Sequence, residues 1–185
     1  MSLLNDILDL SKIESNKLEV KQEPFKLREC VDDCIDSFRN ISLKNDIKFN
    51  YFVSPEVYNN LIGDAGKISQ VLINLISNAI KYTTTGEISI KVSNKSDSND
   101  HTKIIFKVRD TGVGIKAEDQ DIISNYLSKE NILINTHHEV VGTSLMISKN
   151  IVTLMGGEIQ YKANPAGGSE FSFSVNLKKQ KPVFF

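Results

Sequence analysis

The sequence has few cysteines and no excess of charge of either sign. Two cysteines provide no disulfide framework, so we expect a reducing, cytosolic compartment. Lysine and arginine number 22 against 23 aspartate and glutamate, which gives a net charge of −1. Nucleic-acid-binding domains carry an excess of basic residues, so we expect no nucleic-acid partner.

Long apolar runs are also missing. None approaches the roughly 18–20 residues that a membrane-spanning helix needs, and the N-terminus lacks the pattern of a signal peptide. These observations leave open a membrane segment elsewhere in a longer parent protein. The length of 185 residues and the hydrophobic content of 40% fit one domain with an attached helix or linker.

Cys30 and Cys34 lie four residues apart in a stretch with helical periodicity. We expect both in the core, because a free cysteine behaves as a small buried hydrophobe. The alternative, a zinc site, needs more ligands at a recognisable spacing. The remaining candidate ligands are three scattered histidines, His101, His137 and His138.

The hydrophobic periodicity predicts alternating helices and strands. Helices are predicted at 27–44, from an N-cap at Asp64 to about residue 82, at 118–127 and at 145–155. Strands are predicted at 47–53, 88–92, 104–108, 158–161 and 171–177, the last two forming a hairpin. Pro24 predicts a linker, and polar residues 93–102 predict a loop. The fold class is therefore α/β, a two-layer α/β sandwich whose helices cover one face of a mixed, mainly antiparallel sheet.

Asn74, Asn78 and Lys81 share one face of the helix that follows Asp64, at positions i, i+4 and i+7. Two amides and an ammonium group could hold Mg²⁺ together with an anionic ligand, since Mg²⁺ keeps several waters and takes few protein oxygens. The spacing alone favours a simpler interpretation, the solvated face of a core helix.

Two glycine-containing segments could approach a ligand closely. Asp110-Thr111-Gly112-Val113-Gly114-Ile115 directly follows a predicted strand, and its glycines permit backbone shapes that a Cβ would block. Gly142-Thr143-Ser144 precedes a helix, where backbone N–H groups could meet an anion. Each segment alone is also typical of an ordinary turn.

Taken in order, these segments resemble a sensor histidine kinase, most closely of the hybrid type. The matching segments run from Leu8 to Glu14, Gly63 to Asp64, Gln70 to Tyr82, Asp110 to Ile115, Leu154 to Ile159 and Gly167 to Phe173. The resemblance implies that residues 1–20 are the C-terminal end of a dimerisation helix. Residues 21–178 would form an ATP-binding domain of the Bergerat fold shared with gyrase-type ATPases, and 179–185 a linker or tail.

The resemblance also implies ATP and Mg²⁺ as ligands. Asn78 would coordinate Mg²⁺ with Asn74 beside it, Lys81 would lie near the phosphates and Tyr82 near the nucleoside. Asp110 would accept a hydrogen bond from the adenine amine. The implied ATP-binding set is completed by Gly112, Gly114, Ile115, Gly142, Thr143 and Leu145.

The implied partners are ATP or ADP, the protein's own dimerisation and histidine phosphotransfer helices, and a response-regulator receiver domain. The chain would be a cytoplasmic domain, whether or not its parent is attached to a membrane. No catalytic residue is assigned, because none of the three histidines lies in a phosphoacceptor motif.

Two boxes depart from the family pattern. Ile122-Ile123-Ser124-Asn125-Tyr126 stands where I-F-E-P-F is usual, and the segment from Val140 to Leu145 stands where G-T-G-L-G-L is usual. Only Gly142 remains of three glycines. An active kinase and a degenerate domain with a regulatory role therefore both remain possible. A hydrolytic ATPase is a distant third, because Asn74 replaces a glutamate and an amide cannot act as a base.

Overall fold

A computed structural model describes residues 11, 15, 17–44, 47–128 and 142–181, without the side chains of 39–44. Residues 1–20, predicted as the end of a dimerisation helix, lie outside these ranges except for Ser11, Ser15 and residues 17–20. The helices are α1 (Leu27–Lys44), α2 (Ala65–Tyr82), α3 (Ala117–Ser128) and α4 (Thr143–Leu154). The strands are β1 (Glu23–Lys26), β2 (Ile47–Val53), β3 (Asn60–Gly63), β4 (Gly86–Asp97), β5 (His101–Asp110), β6 (Glu158–Ala163) and β7 (Ser169–Lys179).

The seven strands form one sheet in the order β1-β3-β7-β5-β4-β2, with β6 paired to β7 as well. Among the described strands, β2 and β4 pair in parallel and the other five pairs are antiparallel. This topology confirms the predicted mixed, mainly antiparallel sheet. The predicted hairpin at the end of the chain is also confirmed, since β6 and β7 pair from Glu158 to Ala163.

The core lies between the helices and one face of the sheet. Alternate residues of β4 and β5 are buried, while Glu87 and Lys91 on the opposite face of β4 are exposed. At the centre of the sheet Phe106 stacks on Phe173, with ring centroids 4.5 Å apart and planes 3° from parallel. The two-layer sandwich is therefore confirmed. Within the described ranges, no helix is both long enough and apolar enough to cross a bilayer.

Helix α2 begins where the sequence predicts. The Asp64 Oδ1 accepts a hydrogen bond from the Lys67 N–H at 2.9 Å, and Oδ2 accepts from the Lys21 N–H at 3.0 Å. The cysteines of α1 are buried, as predicted, and the Cys30 Sγ lies 3.3 Å from the Ser69 Oγ on α2. These contacts fix α2, which carries the candidate asparagines, against α1 and the chain that precedes it.

Two local predictions are wrong, and one strand has no sequence signal. Pro24 lies in β1 rather than a linker, a position open to proline because β1 is an edge strand with one partner among the described strands. The predicted polar loop 93–102 is mostly strand, since β4 continues to Asp97 and β5 begins at His101. The end of β4 is exposed from Lys95 to Asp97 and carries no alternation, although Thr102 at the start of β5 is buried. The strand β3 has four residues, too few for a periodic pattern.

Candidate functional site

A cavity of about 560 Å³ lies where the end of β5, the second half of α2, the start of α3 and the N-terminus of α4 meet. Its volume is within the range of small-molecule sites. Nine of the eleven predicted site residues line it: Asn78, Lys81, Tyr82, Asp110, Gly114, Ile115, Gly142, Thr143 and Leu145. The fold thus brings together segments that are far apart in the sequence. Asn74 and Gly112 are not among the lining residues.

Asp110, the last residue of β5, is 5% exposed and lines the cavity. Its Oδ1 accepts hydrogen bonds from the Gly112 N–H at 2.9 Å and the Ser169 N–H at 3.2 Å. Burial raises the pKa of this carboxyl, and the two backbone hydrogen bonds oppose that shift. Among the described residues no donor is bonded to Oδ2. That oxygen is therefore free to accept from a molecule in the cavity.

Gly112 and Gly114 shape the turn after Asp110 for different reasons. A Cβ on Gly112 would lie 2.1 Å from the Tyr82 carbonyl oxygen, so this glycine permits close packing of the turn on the end of α2. The Val113 N–H donates to the same carbonyl at 3.1 Å. Gly114 has a φ of +69° and lines the cavity. Gly112 thus lets the turn pack on α2, and Gly114 lies close to Gly168, whose carbonyl oxygen would be 3.2 Å from an added Cβ.

The N-terminus of α4 faces the cavity. Its N-cap, Gly142, has a φ of +72°, and a Cβ there would meet nothing within 4 Å, so backbone conformation explains this glycine. Among the described residues no side chain caps the helix, in contrast to Asp64 on α2. Uncapped N–H groups and the positive end of the helix dipole form a typical anion site.

The two asparagines of α2 contact α4 in different ways. The Asn74 side chain is buried, and its Nδ2 donates to the Ser144 carbonyl oxygen at 3.3 Å and the Ser148 Oγ at 3.2 Å. The Asn78 Nδ2 donates to the Ser144 Oγ at 3.5 Å. Asn78 lines the cavity, and its Oδ1 has no partner among the described residues. Asn74 does not line the cavity, and its hydrogen bonds join α2 to α4.

Lys81 and Tyr82 lie near one another at the end of α2. The Lys81 Nζ is 5.0 Å from the centroid of the Tyr82 ring, and both side chains are largely exposed. Sequence reasoning missed the apolar walls and several polar lining residues, because their periodicity indicates only core or surface. These additional lining residues are Leu75, Ala79, Val108, Lys116, Asp119, Ile123, Ser169 and Phe171, and the cavity is also lined by Ser144 from the predicted glycine-containing segment.

The altered phenylalanine-type box, residues 122–126, lies within helix α3. Its last residue, Tyr126, is buried, and the Lys149 Nζ of α4 donates to the Tyr126 carbonyl oxygen at 2.5 Å. The same ammonium lies 4.4 Å from the Tyr126 ring centroid, and burial lowers its pKa. Ile123 lines the cavity. The substituted box therefore still packs against α4 and supplies one apolar wall.

The comparisons with known proteins agree with this geometry. The profile of the family described as histidine kinase-, DNA gyrase B-, and HSP90-like ATPase matches residues 63–179. The signal transduction histidine-protein kinase BarA of Escherichia coli (strain K12) is 34% identical over 177 residues, which cover 96% of this chain and 19% of BarA. The hybrid signal transduction histidine kinase B of Dictyostelium discoideum is 34% identical over 175 residues, which cover 95% of this chain and 9% of that protein.

Solved structures agree on the fold. Full-length ShkA, crystallised in complex with AMPPNP, superimposes with a TM-score of 0.77 at 21% identity, covering 97% of this chain and 36% of ShkA. The chain spans about a fifth or less of the length of BarA and of histidine kinase B. The chain belongs to the histidine kinase-, DNA gyrase B- and HSP90-like ATPase family and is homologous to the ATP-binding catalytic domains of hybrid sensor histidine kinases.

Proposed function

We propose that this domain binds Mg·ATP in the cavity and presents the terminal phosphate to a histidine carried by another segment of a two-component kinase. The observation that carries the proposal is that different parts of the cavity carry a hydrogen-bond acceptor and a site for anions. A buried carboxylate, Asp110, lines one part, and the uncapped N-terminus of α4 lines another. A nucleotide has a base with hydrogen-bond donors at one end and anionic phosphates at the other.

The base would bind beside Asp110. The walls there include Leu75, Val108 and Phe171, apolar side chains that suit a planar ring. The free Oδ2 of Asp110 can accept from the exocyclic amine of adenine. Because burial disfavours the ionised carboxyl, a donor at this place also relieves an unfavourable charge.

The phosphates would bind near the N-terminus of α4. The backbone N–H groups of its first turn and the Lys81 ammonium supply donors and positive charge. Asn78 presents an unpaired amide oxygen between these groups and fits Mg²⁺, which accepts few protein oxygens and completes its shell with phosphates and water. The bound ion would neutralise phosphate charge during transfer.

Transfer to a histidine is favoured over hydrolysis by the position of Asn74. Its side chain is neutral, faces α4 and donates to Ser144 and Ser148, so it cannot accept a proton from water. Transfer is tested by incubating a protein extended upstream through the acceptor histidine with radiolabelled ATP. Label on histidine supports the proposal, and folded protein that binds nucleotide without labelling contradicts it.

A second candidate, a degenerate domain with a regulatory role, is favoured by Ser144. Its side chain occupies a position that is glycine in the related box, 3.5 Å from the amide nitrogen of Asn78. A side chain there takes space close to the phosphates and narrows the preference for ATP over ADP. In this case the domain would bind nucleotide without transferring phosphate.

Replacing Asn78 by alanine is expected to remove the magnesium dependence of nucleotide binding. At ten times its dissociation constant, a nucleotide stabilises the fold by about 1.4 kcal/mol, which is a melting shift of about 3–6 °C. In Asn78→Ala the shift with ADP should be equal with and without Mg²⁺. Asn150→Ala is the control, because Asn150 bonds to Met146 within α4, away from the cavity. A preserved response to Mg²⁺ in Asn78→Ala would contradict the metal assignment.

Restoring glycine at position 144 is expected to widen the preference for ATP over ADP. The dissociation constants of ATP and ADP, measured by calorimetry, should differ by less than about threefold in the unmutated chain and by about fivefold or more in Ser144→Gly. This increase in the preference for ATP is within the strength of one added hydrogen bond. Thr153→Gly, on the exposed side of α4, controls for the lower helix propensity of glycine. An unchanged ratio in Ser144→Gly would show that this side chain does not restrict the phosphates.

A further inference from the structure

A buried asparagine outside the cavity is bonded to the chain that carries Asp110. Asn164, in the turn between β6 and β7, is 6% exposed. Its Nδ2 donates to the Asp110 carbonyl oxygen at 2.7 Å. Its Oδ1 accepts from the Arg109 guanidinium at 2.5 Å and from the Ala166 N–H at 3.1 Å. One side chain thus joins the end of β5 to the β6–β7 turn.

The same turn also contacts the Asp110 carboxylate. The Asn164 N–H donates to the Gly168 carbonyl oxygen at 3.1 Å, which closes the turn. The next residue, Ser169, donates its N–H to the Asp110 Oδ1 at 3.2 Å. At Gly168 an added Cβ would lie 2.5 Å from that Oδ1. The place of the carboxylate therefore depends on where the turn lies, and the turn is fixed by Asn164.

We propose that Asn164 is a positioning residue for base selection, holding Asp110 where its free oxygen meets the amino group of adenine. Asn164 does not line the cavity and acts through Asp110. Guanine has a carbonyl where adenine has this amine, so a fixed carboxylate attracts one base and repels the other. A displaced carboxylate discriminates less. This inference rests on the proposed nucleotide site and adds a residue that determines its specificity.

The test compares the affinities of ADP and GDP, measured by calorimetry, in variants of the whole chain. In Asn164→Ala we expect ADP to bind about tenfold more weakly, the effect of one well-placed hydrogen bond. GDP affinity should change by less than about twofold, because GDP does not use the contact. A purely structural role would weaken both nucleotides together, so the ratio of their dissociation constants is the decisive readout.

Asn176 offers a matched control. It also holds a turn by donating its Nδ2 to a carbonyl oxygen, that of Gly156, at 2.6 Å, but this turn does not touch Asp110. Asn176→Ala should lower the melting temperature and leave the ADP to GDP ratio unchanged. Asn164→Asp separates the two sets of hydrogen bonds that this side chain makes, since it keeps an acceptor for Arg109 and Ala166 but loses the donor to the Asp110 carbonyl oxygen. It should lose discrimination as Asn164→Ala does.

Arg109→Ala keeps the inference testable if the Asn164 variants do not fold. Arg109 is an exposed residue that donates to the Asn164 Oδ1, so its removal should loosen the turn with little loss of stability. We expect the ADP to GDP preference to fall about threefold, in the same direction. A folded Asn164 or Arg109 variant with the full preference of the unmutated chain overturns this inference alone. Failure of the unmutated chain to bind ADP overturns the proposed function and this inference with it.

Discussion

Replacing Asp110 by alanine is expected to abolish the stabilisation of this domain by adenine nucleotides. The Asp110 carboxylate lies where apolar side chains line the cavity. Its Oδ1 already accepts two backbone hydrogen bonds, and its Oδ2 is free to accept one from a base amine. With ADP at ten times its dissociation constant, the unmutated chain should melt about 3–6 °C higher than without ADP. In Asp110→Ala the same ADP concentration should give no shift. Differential scanning calorimetry or fluorimetry measures both values.

Asp110→Ala is expected to lower the stability of the fold as well as nucleotide binding, and the two effects must be separated. Asp110→Ala also leaves the N–H groups of Gly112 and Ser169 without their acceptor, which costs about 1–3 kcal/mol when such groups are buried. The shift is therefore compared within each variant. Asp119→Ala is the control, since Asp119 is another carboxylate that lines the cavity. It should keep the shift, and an ADP shift that survives in Asp110→Ala would contradict the assignment of the base site.

The helix α2 could be predicted from the sequence because its signals are local. Asp64 caps it, an apolar stripe faces the sheet, and Asn78 and Lys81 follow at helical spacing on the other side. The glycine segment after β5 could likewise be predicted as a turn. That these segments face one cavity was implied by the resemblance to a known family, and no periodicity within one element could establish it.

The hydrogen bonds by which Asn164 holds the end of β5 have no local signal in the sequence. Asn164 follows a strand in a segment with proline and glycine, and such a residue is typical of any turn. The three partners of its side chain lie on β5 and within the turn itself, so its role exists only once β6, β7 and β5 are side by side. The same holds for the bond between Asn74 and Ser148, since the fully buried Ser148 hydroxyl donates locally to the Ser144 carbonyl oxygen but accepts from Asn74, which is 74 residues away. Hydrogen bonds between residues that are distant in the sequence could not be predicted from its periodicity.

The strands show the same limit. Central strands such as β5 have one buried face and one more exposed face. Apolar and polar residues therefore alternate along them, and these strands could be predicted. The edge strand β1 and the short β3 have four residues each, and they are strands because they pair with each other and with β7. The wrong prediction at Pro24 also arises because the pairing of β1 is not visible in the sequence. Proline cannot donate a hydrogen bond within a sheet, but at an edge strand that donor is not needed.

Gly168→Ala is expected to have the second large effect, on stability and binding together. Gly168 has a φ of +86°, and its added Cβ would lie 2.3 Å from the Asp110 carbonyl oxygen and 2.5 Å from Oδ1. Both contacts are impossible without moving Asp110 or the turn. We expect a loss of about 3 kcal/mol or more, from backbone strain and overlap combined. That is a fall of about 6–12 °C in melting temperature, and the ADP shift should disappear as well.

The neighbouring glycine separates the two causes of this loss. Gly167 has a φ of +96°, so alanine there carries similar backbone strain, but the nearest atom to its added Cβ is the Gly112 carbonyl oxygen at 4.0 Å. Gly167→Ala should therefore cost about 1 kcal/mol and keep the ADP shift. The difference between the variants measures the close approach of the turn to Asp110. Equal losses in the two variants, or an intact ADP shift in Gly168→Ala, would show that Asp110 does not depend on the position of this turn.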